Sequence, residues 1–259
     1  MSNIISHLRI SGNRRHFTDS NGKPVFWLGD TLWELFRVHP VKDSIAMIEN
    51  RRKKGFNVIQ VMLTGLYDIT APNLEGLTPL KNNDPRTPNE VYFRHLDPII
   101  RHADRCGMTL CIGVYHQASR KAVTASNARK FARLVAERYR NSPSIIWTMY
   151  PRAEKEYIPV VKELARGLRQ GDNGRHLITV HPDPSPTSSS FIHNEPWLDF
   201  NMIQTCISYQ HTHRMAYEDY LRRPVKPVVM AEGAYEGEEY GMEGTPLILR
   251  RQTYWSFLA

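Results

Sequence analysis

Seven short apolar segments alternate with stretches of helical spacing along this chain, and that alternation limits its fold more than any other feature. Parallel strands need a crossover connection, most often a helix, and helices on both sides of a parallel sheet leave its strands reading as continuous apolar runs. The expected strands are Val25 to Leu28, Phe56 to Leu63, Met108 to Tyr115, Ile145 to Met149, His176 to Val180, Leu198 to Gln204 and Pro227 to Ala231. Helices are expected at Val41 to Lys54, Glu90 to Cys106, Ala125 to Tyr139, Tyr157 to Leu168, Arg214 to Leu221 and Pro246 to Leu258. In the second of these, Val91, Phe93, Leu96, Ile99, Ile100 and Ala103 recur at helical intervals, and Gly107 is placed to stop it. Ahead of the first strand, residues 10–24 read as a short hairpin turning at Asn21-Gly22.

A chain of 259 residues can bury one large core, and no Pro/Ser-rich linker divides it, so a single domain over residues 1–259 is expected. No glycine-rich phosphate-binding turn follows the first strand, which argues against a nucleotide-binding sheet. The α/β pattern fits a (β/α)8 TIM-like barrel, incomplete or truncated after the seventh βα unit. An open barrel edge leaves backbone groups unpaired. The hairpin, a second copy of the chain in a homo-oligomer, or further chain in a longer form would cover it.

In such a barrel the site is built from the C-terminal ends of the strands. Those positions hold Asp30, Gln60, Met62, Tyr115, His116, Tyr150 to Glu154, His181, Gln204, Glu232, Tyr235 and Glu236, with Trp33 close behind Asp30. This ring of hydrogen-bonding and flat side chains suits a polyol or sugar, whose apolar face stacks on aromatics. Cleaving a glycosidic bond takes two carboxyl groups, about 5 to 5.5 Å apart when configuration is retained. Glu232, closing PVVMAE, is the candidate nucleophile or base, against the alternative of a scaffold ion pair. Glu154 is the nearest carboxylate after the fourth strand and the candidate acid, although its place in PRAEKEY equally suits a helix first turn. Arg152, two residues earlier, cannot serve as a proton donor but can bind an anionic group. Asp30 reads as a hydroxyl binder or as the cap of the following turn. His116 and His181 read as ligand contacts or hydrogen-bonded framework. The long loop over residues 65–89 exceeds the usual connection length, and loops of that size commonly shape a site.

Charge and cysteine usage narrow the partners. The net charge of +8, from 34 basic and 26 acidic residues, collects in clusters such as ENRRKKG (residues 49–55) at helix ends, and no nucleic-acid-binding motif accompanies it. No nucleic acid, membrane, metal or cofactor is expected as a partner. The histidine pair His211 and His213 lies after the sixth strand, whereas the HxH of metal-dependent hydrolases of this fold would end the first, which closes on LGD. There is no secretion-type leader or membrane-length apolar run. Three cysteines, Cys106, Cys111 and Cys206, make no complete disulfide set and suit a reducing, cytoplasmic setting.

Taken as a set, several strings resemble the apiosidase-like glycoside hydrolases, TIM barrels near clan A that often carry the domain label DUF4038. They are GKPVFWLGDTLWELF (22–36), ENRRKKGFNVIQ (49–60), DPRTPNEVYFRHLDPIIRHADRCGM (84–108), NSPSIIWTMY (141–150), WLDFNMIQT (197–205), KPVVMAEGAYE (226–236) and RRQTYWSFLA (250–259). The resemblance implies a carbohydrate substrate, with the nucleophile on Glu232 and a sugar-contacting aspartate on Asp30. It places the acid on Arg152, because Tyr150-Pro151-Arg152 stands where the family has a glycine pair and Asp; the family's glycine-rich eighth strand has no counterpart. The expected function is hydrolysis of a glycosidic bond in a small oligosaccharide or polysaccharide side chain by a retaining two-carboxylate mechanism. The alternative is a non-catalytic carbohydrate-binding or scaffold protein of the same fold.

Overall fold

A computed structural model describes residues 7–182, 187–205, 209–237 and 244–259. The chain opens with three two-residue strands, β1 (Arg9–Ile10), β2 (Phe17–Thr18) and β3 (Pro24–Val25), paired antiparallel in that order. The Asp19 carboxylate accepts from the amides of Asn21 and Lys23 and holds the turn between β2 and β3, where Gly22 takes a left-handed φ of 80°. The expected hairpin is therefore present. The expected strand Val25 to Leu28 is not: Val25 belongs to the hairpin, Phe26 and Leu28 are exposed, and the first parallel strand is β4 (Gly29–Thr31). Four apolar residues in a row carry no information about where one strand ends and another begins.

From β4 the chain alternates as the sequence requires. It runs through α1 (Val41–Lys53), β5 (Val58–Met62), α2 (Glu90–Cys106), β6 (Thr109–His116), α3 (Ala128–Tyr139), β7 (Ile145–Tyr150) and α4 (Ile158–Asp172). It continues through β8 (Leu177–Ile178), the short α5 (Ser189–Ile192), β9 (Asn201–Gln204), α6 (Thr212–Leu221), β10 (Val228–Glu232) and α7 (Pro246–Phe257). Helix α2 has the expected bounds, because Asn89 caps its start by accepting from the Val91 amide and Gly107 ends it at φ 70°.

Strands β4 to β8 form a parallel sheet in chain order, and β9 and β10 form a parallel pair. One backbone bond, from the Asp199 amide to the Ile178 carbonyl, links the two groups. On the other side no backbone ladder joins β10 to β4 among the described residues. There the Gln60 side chain reaches across and donates to the Ala231 carbonyl at 2.5 Å. A cleft of about 420 Å³ lies along this seam, lined by Trp27, Gly29, Gln60, Val229, Ala231 and Phe257 among others.

Side-chain alternation divides the interior. Ile59 and Val61 of β5, and Leu63 just after it, face the helices with Ile112, Trp147 and Ile178, while Val58, Cys111, Ile146, Phe200, Met202 and Val229 fill the space enclosed by the strands. The N-terminal sheet closes the lower end of that space: Phe17 sits edge-on to Phe200 at 5.0 Å, with Trp27 packed against both. Residue pairs in β6 and β10 break the alternation. From Gly113 to His116, β6 advances three residues while β7 advances two, and from Met230 to Glu232, β10 advances two while β9 advances one. Each strand therefore carries one extra residue near its C-terminal end, as a β-bulge does.

Helices α3 and α4 approach through small residues. A Cβ on Gly167 would lie 2.3 Å from the Arg129 carbonyl oxygen and 2.8 Å from the Ala132 Cβ, and one on Gly171 would meet Arg133 and Ala136 equally closely. Helix propensity favours Ala over Gly by up to about 1 kcal/mol, but here the added methyl meets backbone that cannot swing aside. Gly167→Ala and Gly171→Ala are each expected to destabilise the fold by about 1–3 kcal/mol, read from urea midpoints. Stabilisation by either would show that the two helices are not in contact at these positions.

Candidate active site

The upper ends of β7 to β10 bring together a set of side chains around Glu232, which is 9% exposed. Simple alternation along β10 would send Glu232 outward, since Val228 and Met230 face α6 and Val229 and Ala231 face the interior. The extra residue reverses this and turns the carboxylate inward. Its Oε2 accepts from Gln204 Nε2 at 2.7 Å and lies 3.1 Å from the Tyr150 hydroxyl, while its Oε1 accepts from the Tyr235 hydroxyl. The Tyr150 hydroxyl also lies 2.9 Å from Gln204 Oε1, so its single proton serves two acceptors. Burial, and after it the charge of Glu232, raise the Tyr235 pKa well above that of a free phenol, so Tyr235 remains a donor.

Rings frame this carboxylate. His181, fully buried, places Nε2 3.5 Å from Glu232 Oε2, and its Nδ1 donates to the Pro182 carbonyl at 3.1 Å. Tyr150 packs against His181, with centroids 4.4 Å apart, and stacks on Trp33 at 5.8 Å and an interplanar angle of 18°. His116 completes the group at 5.0 Å from Tyr150, with Tyr67 edge-on to it at 5.3 Å.

The bulge in β6 decides which of two adjacent expected residues reaches the site. Tyr115 was expected to contact ligand, but it points into the helix-side core, where burial raises its pKa strongly. His116 takes the inward position instead. The Ala118 amide donates to His116 Nδ1 at 3.1 Å, so in the neutral ring Nε2 carries the proton and can donate to a ligand. Burial, aided by His181, lowers the His116 pKa from 6.5 to about 4. Neutral His116 is thus the form present near neutral pH.

Four other expected residues make their bonds outside this group. Asp30 forms an ion pair with Arg51 of α1 and accepts from the Thr31 amide, and its register partner Ile59 faces the helices. It is a strut between β4 and α1, and it is Thr31, the next residue, that lies on the inner face beside Gln60. Gln60 itself ties β5 to β10. Glu154 and Arg152 pair with each other at 3.8 Å on the rim, with side chains 52% and 55% exposed, and Arg152 donates to Gln117 at 2.7 Å. The structure brings together Glu232, Gln204, Tyr235, His181, His116 and Trp33, and leaves Glu154 outside that hydrogen-bonded group.

Tyr67 was not foreseen. It projects from the long loop, whose base is held where Glu34 accepts from the Leu66 amide at 2.8 Å and pairs with Arg37 at 2.6 Å. Only the loop's length hinted at a built feature. Gln252 was missed too: it is a helix residue that accepts from the Ala234 amide at 2.9 Å and donates to its carbonyl at 3.1 Å. This clamp fixes the turn between Glu232 and Tyr235. Of the pair His211 and His213, His213 is stacked on Tyr217 of α6. Cys206 lies outside the described residues.

A parallel α/β sheet with a carboxylate held by amide and phenol donors at the upper ends of its strands has its candidate site where TIM-barrel enzymes carry theirs. The chain belongs to the apiosidase-like catalytic domain family, which matches residues 11–259. A crystal structure of a glycoside hydrolase family 5 protein from Bacteroides vulgatus superposes with a TM-score of 0.87 at 24% identity, over 97% of this chain and 60% of that one. A structure described as a glycoside hydrolase gives 0.88 at 26% identity, over 97% and 63%. The catalytic domain of Thermobifida fusca endoglucanase Cel5A shares the fold at 13% identity, with a TM-score of 0.62 over 98% and 82%. The chain thus spans about three-fifths of the length of the first two. No curated protein matched the sequence. Among the described residues no helix is long and apolar enough to cross a membrane.

The depressed pKa of His116 has a consequence for stability. Since the folded value lies below the unfolded one, neutral His116 contributes stability that is complete above about pH 6.5 and lost as pH falls through about 4. Between pH 7 and pH 4 the wild-type protein is expected to lose on the order of 2–3 kcal/mol more than His116→Asn, which keeps an acceptor for the Ala118 amide. Parallel pH curves in urea titrations would refute this.

Proposed function

We propose that this chain is a glycoside hydrolase that uses Glu232 as the nucleophile of a retaining mechanism on a small oligosaccharide or a polysaccharide side chain. The observation that carries the reading is the convergence of Gln204, Tyr150 and Tyr235 on one carboxylate at a strand end. A nucleophile must face the anomeric carbon in one orientation, and donors on both oxygens fix that orientation before substrate arrives. Trp33 and Tyr67 offer flat surfaces for a pyranose, and His116 Nε2 offers a donor for a hydroxyl. Family membership supports the reaction class. Glu154, the carboxylate beyond Tyr150 on the rim, is the proposed acid. It pairs with Arg152 at 3.8 Å, so to act it must turn from that partner toward the leaving oxygen.

Glu232→Gln is expected to lower turnover of an aryl glycoside with a good leaving group by at least about 10³-fold while binding is retained. Unchanged turnover would remove Glu232 from the mechanism. Glu154→Gln separates the roles further. Loss of about 10²-fold on glycosides with poor leaving groups, with activated ones spared, identifies the acid, because proton donation matters least where the leaving group departs easily. Equal rates on both substrates would dismiss Glu154.

The exposed pairing of Glu154 with Arg152 favours a second reading, a carbohydrate-binding protein of this fold without turnover. Calorimetry that shows glycan affinity, with no sugar released from the same glycans, would select it.

A further inference from the structure

At the lower, N-terminal end of the strands, away from Glu232, two helices of the outer layer bring three different ligand types together. His102 and Cys106 are four residues apart near the C-terminus of α2 and so project from one face of it. Glu49, near the C-terminus of α1, approaches from the neighbouring helix. One ligand atom from each, the imidazole nitrogen, the thiol sulfur and a carboxylate oxygen, lies within 4.8 Å of the other two. All three residues are partly buried, so solvent reaches the group without filling it.

We infer that Glu49, His102 and Cys106 form a binding site for a thiophilic divalent transition metal such as Zn²⁺. Hard cations such as Mg²⁺ and Ca²⁺ take all-oxygen sites, whereas a sulfur, nitrogen and oxygen set suits zinc or cobalt. Zinc holds such ligands at about 2.0 to 2.3 Å in a tetrahedron, which needs them about 3.3 to 3.7 Å from one another. His102 Nε2 and Glu49 Oε1 now share a hydrogen bond at 2.9 Å, and Cys106 Sγ makes a long contact of 3.5 Å with the Ala103 carbonyl. Binding therefore requires the His102 proton to move to Nδ1, which frees Nε2 for the metal, and draws the Cys106 sulfur inward as the thiol releases its proton to solvent. These are small movements of side chains that already share a face.

Arg52 is the feature that could oppose a cation, since it donates to Glu49 Oε2 from both Nε and Nη2 at 3.0 and 2.9 Å. It occupies the other carboxylate oxygen and leaves Oε1 to the metal. Loss of the Cys106 proton offsets half of the incoming divalent charge, and the Glu49 carboxylate lies between the metal and Arg52 and screens the one net positive charge that is added. The fourth position is left to water. The metal would bridge α1 to α2, which are otherwise joined here by the His102 to Glu49 bond.

The test titrates the full, tag-free chain with Zn²⁺ in competition with a chromophoric chelator. One equivalent is expected to bind, with affinity reduced at least about tenfold in both Cys106→Ser and His102→Ala, since each removes one of three protein ligands. Saturating Zn²⁺ is expected to raise the melting temperature of the wild type and not of these variants. Cobalt gives a readout independent of the affinities: Co²⁺ added to the wild type or to Cys206→Ser should produce a thiolate-to-cobalt charge-transfer band that is absent in Cys106→Ser. Absence of stoichiometric Zn²⁺ binding, binding unchanged in Cys106→Ser, or no charge-transfer band would overturn the assignment.

Discussion

The extra residue in β10 is the constraint on which the site depends. Without it, the alternation set by Val228, Val229, Met230 and Ala231 would carry Glu232 to the α6 side, away from Gln204, Tyr150 and Tyr235. A buried carboxylate without donors is costly, so the bulge and its partners need one another. Gln204 and Tyr150 come from the ends of β9 and β7, and both must reach the same level for the carboxylate to be satisfied. The second bulge, in β6, sets His116 at that level and gives Tyr115 to the core. Both departures from regular pairing lie next to the site and re-aim one side chain each.

The supports below and beside the site follow from ordinary packing. The aromatic group Phe17, Trp27 and Phe200 fills the lower end, α3 and α4 lock through glycine-to-alanine contacts, and Gln252 clamps the turn after β10 from α7. The seam between β10 and β4 is the loosest part of the strand layer, tied by the Gln60 side chain where a neighbouring strand would supply backbone partners. That bond satisfies the amide nitrogen of Gln60, whose Oε1 is buried without a hydrogen-bond partner among the described residues.

Much of this was legible in the sequence. The strand and helix order follows from apolar periodicity, the end of α2 from Gly107, and the candidacy of Glu232, Gln204 and His181 from their places at strand ends. The choice between neighbours was not legible. Asp30 and Thr31, or Tyr115 and His116, are equivalent candidates when only position along a strand is known, and period-two alternation breaks where a bulge is inserted. Nothing in the residues 228–232 announces the extra one.

The sequence by itself determined the class of fold, through alternating apolar strands and helical faces, and it determined that a carboxylate would stand at the end of the last described strand. Tertiary structure decided what that carboxylate meets. Hydrogen-bonding partners from β7, β9 and the turn after β10 are far apart in the chain, and only closing the strands side by side sets their distances. It likewise decided that Glu154 pairs with Arg152 on the rim, because the direction of a side chain beyond a strand end depends on the packing of the loop that follows, which local sequence does not encode.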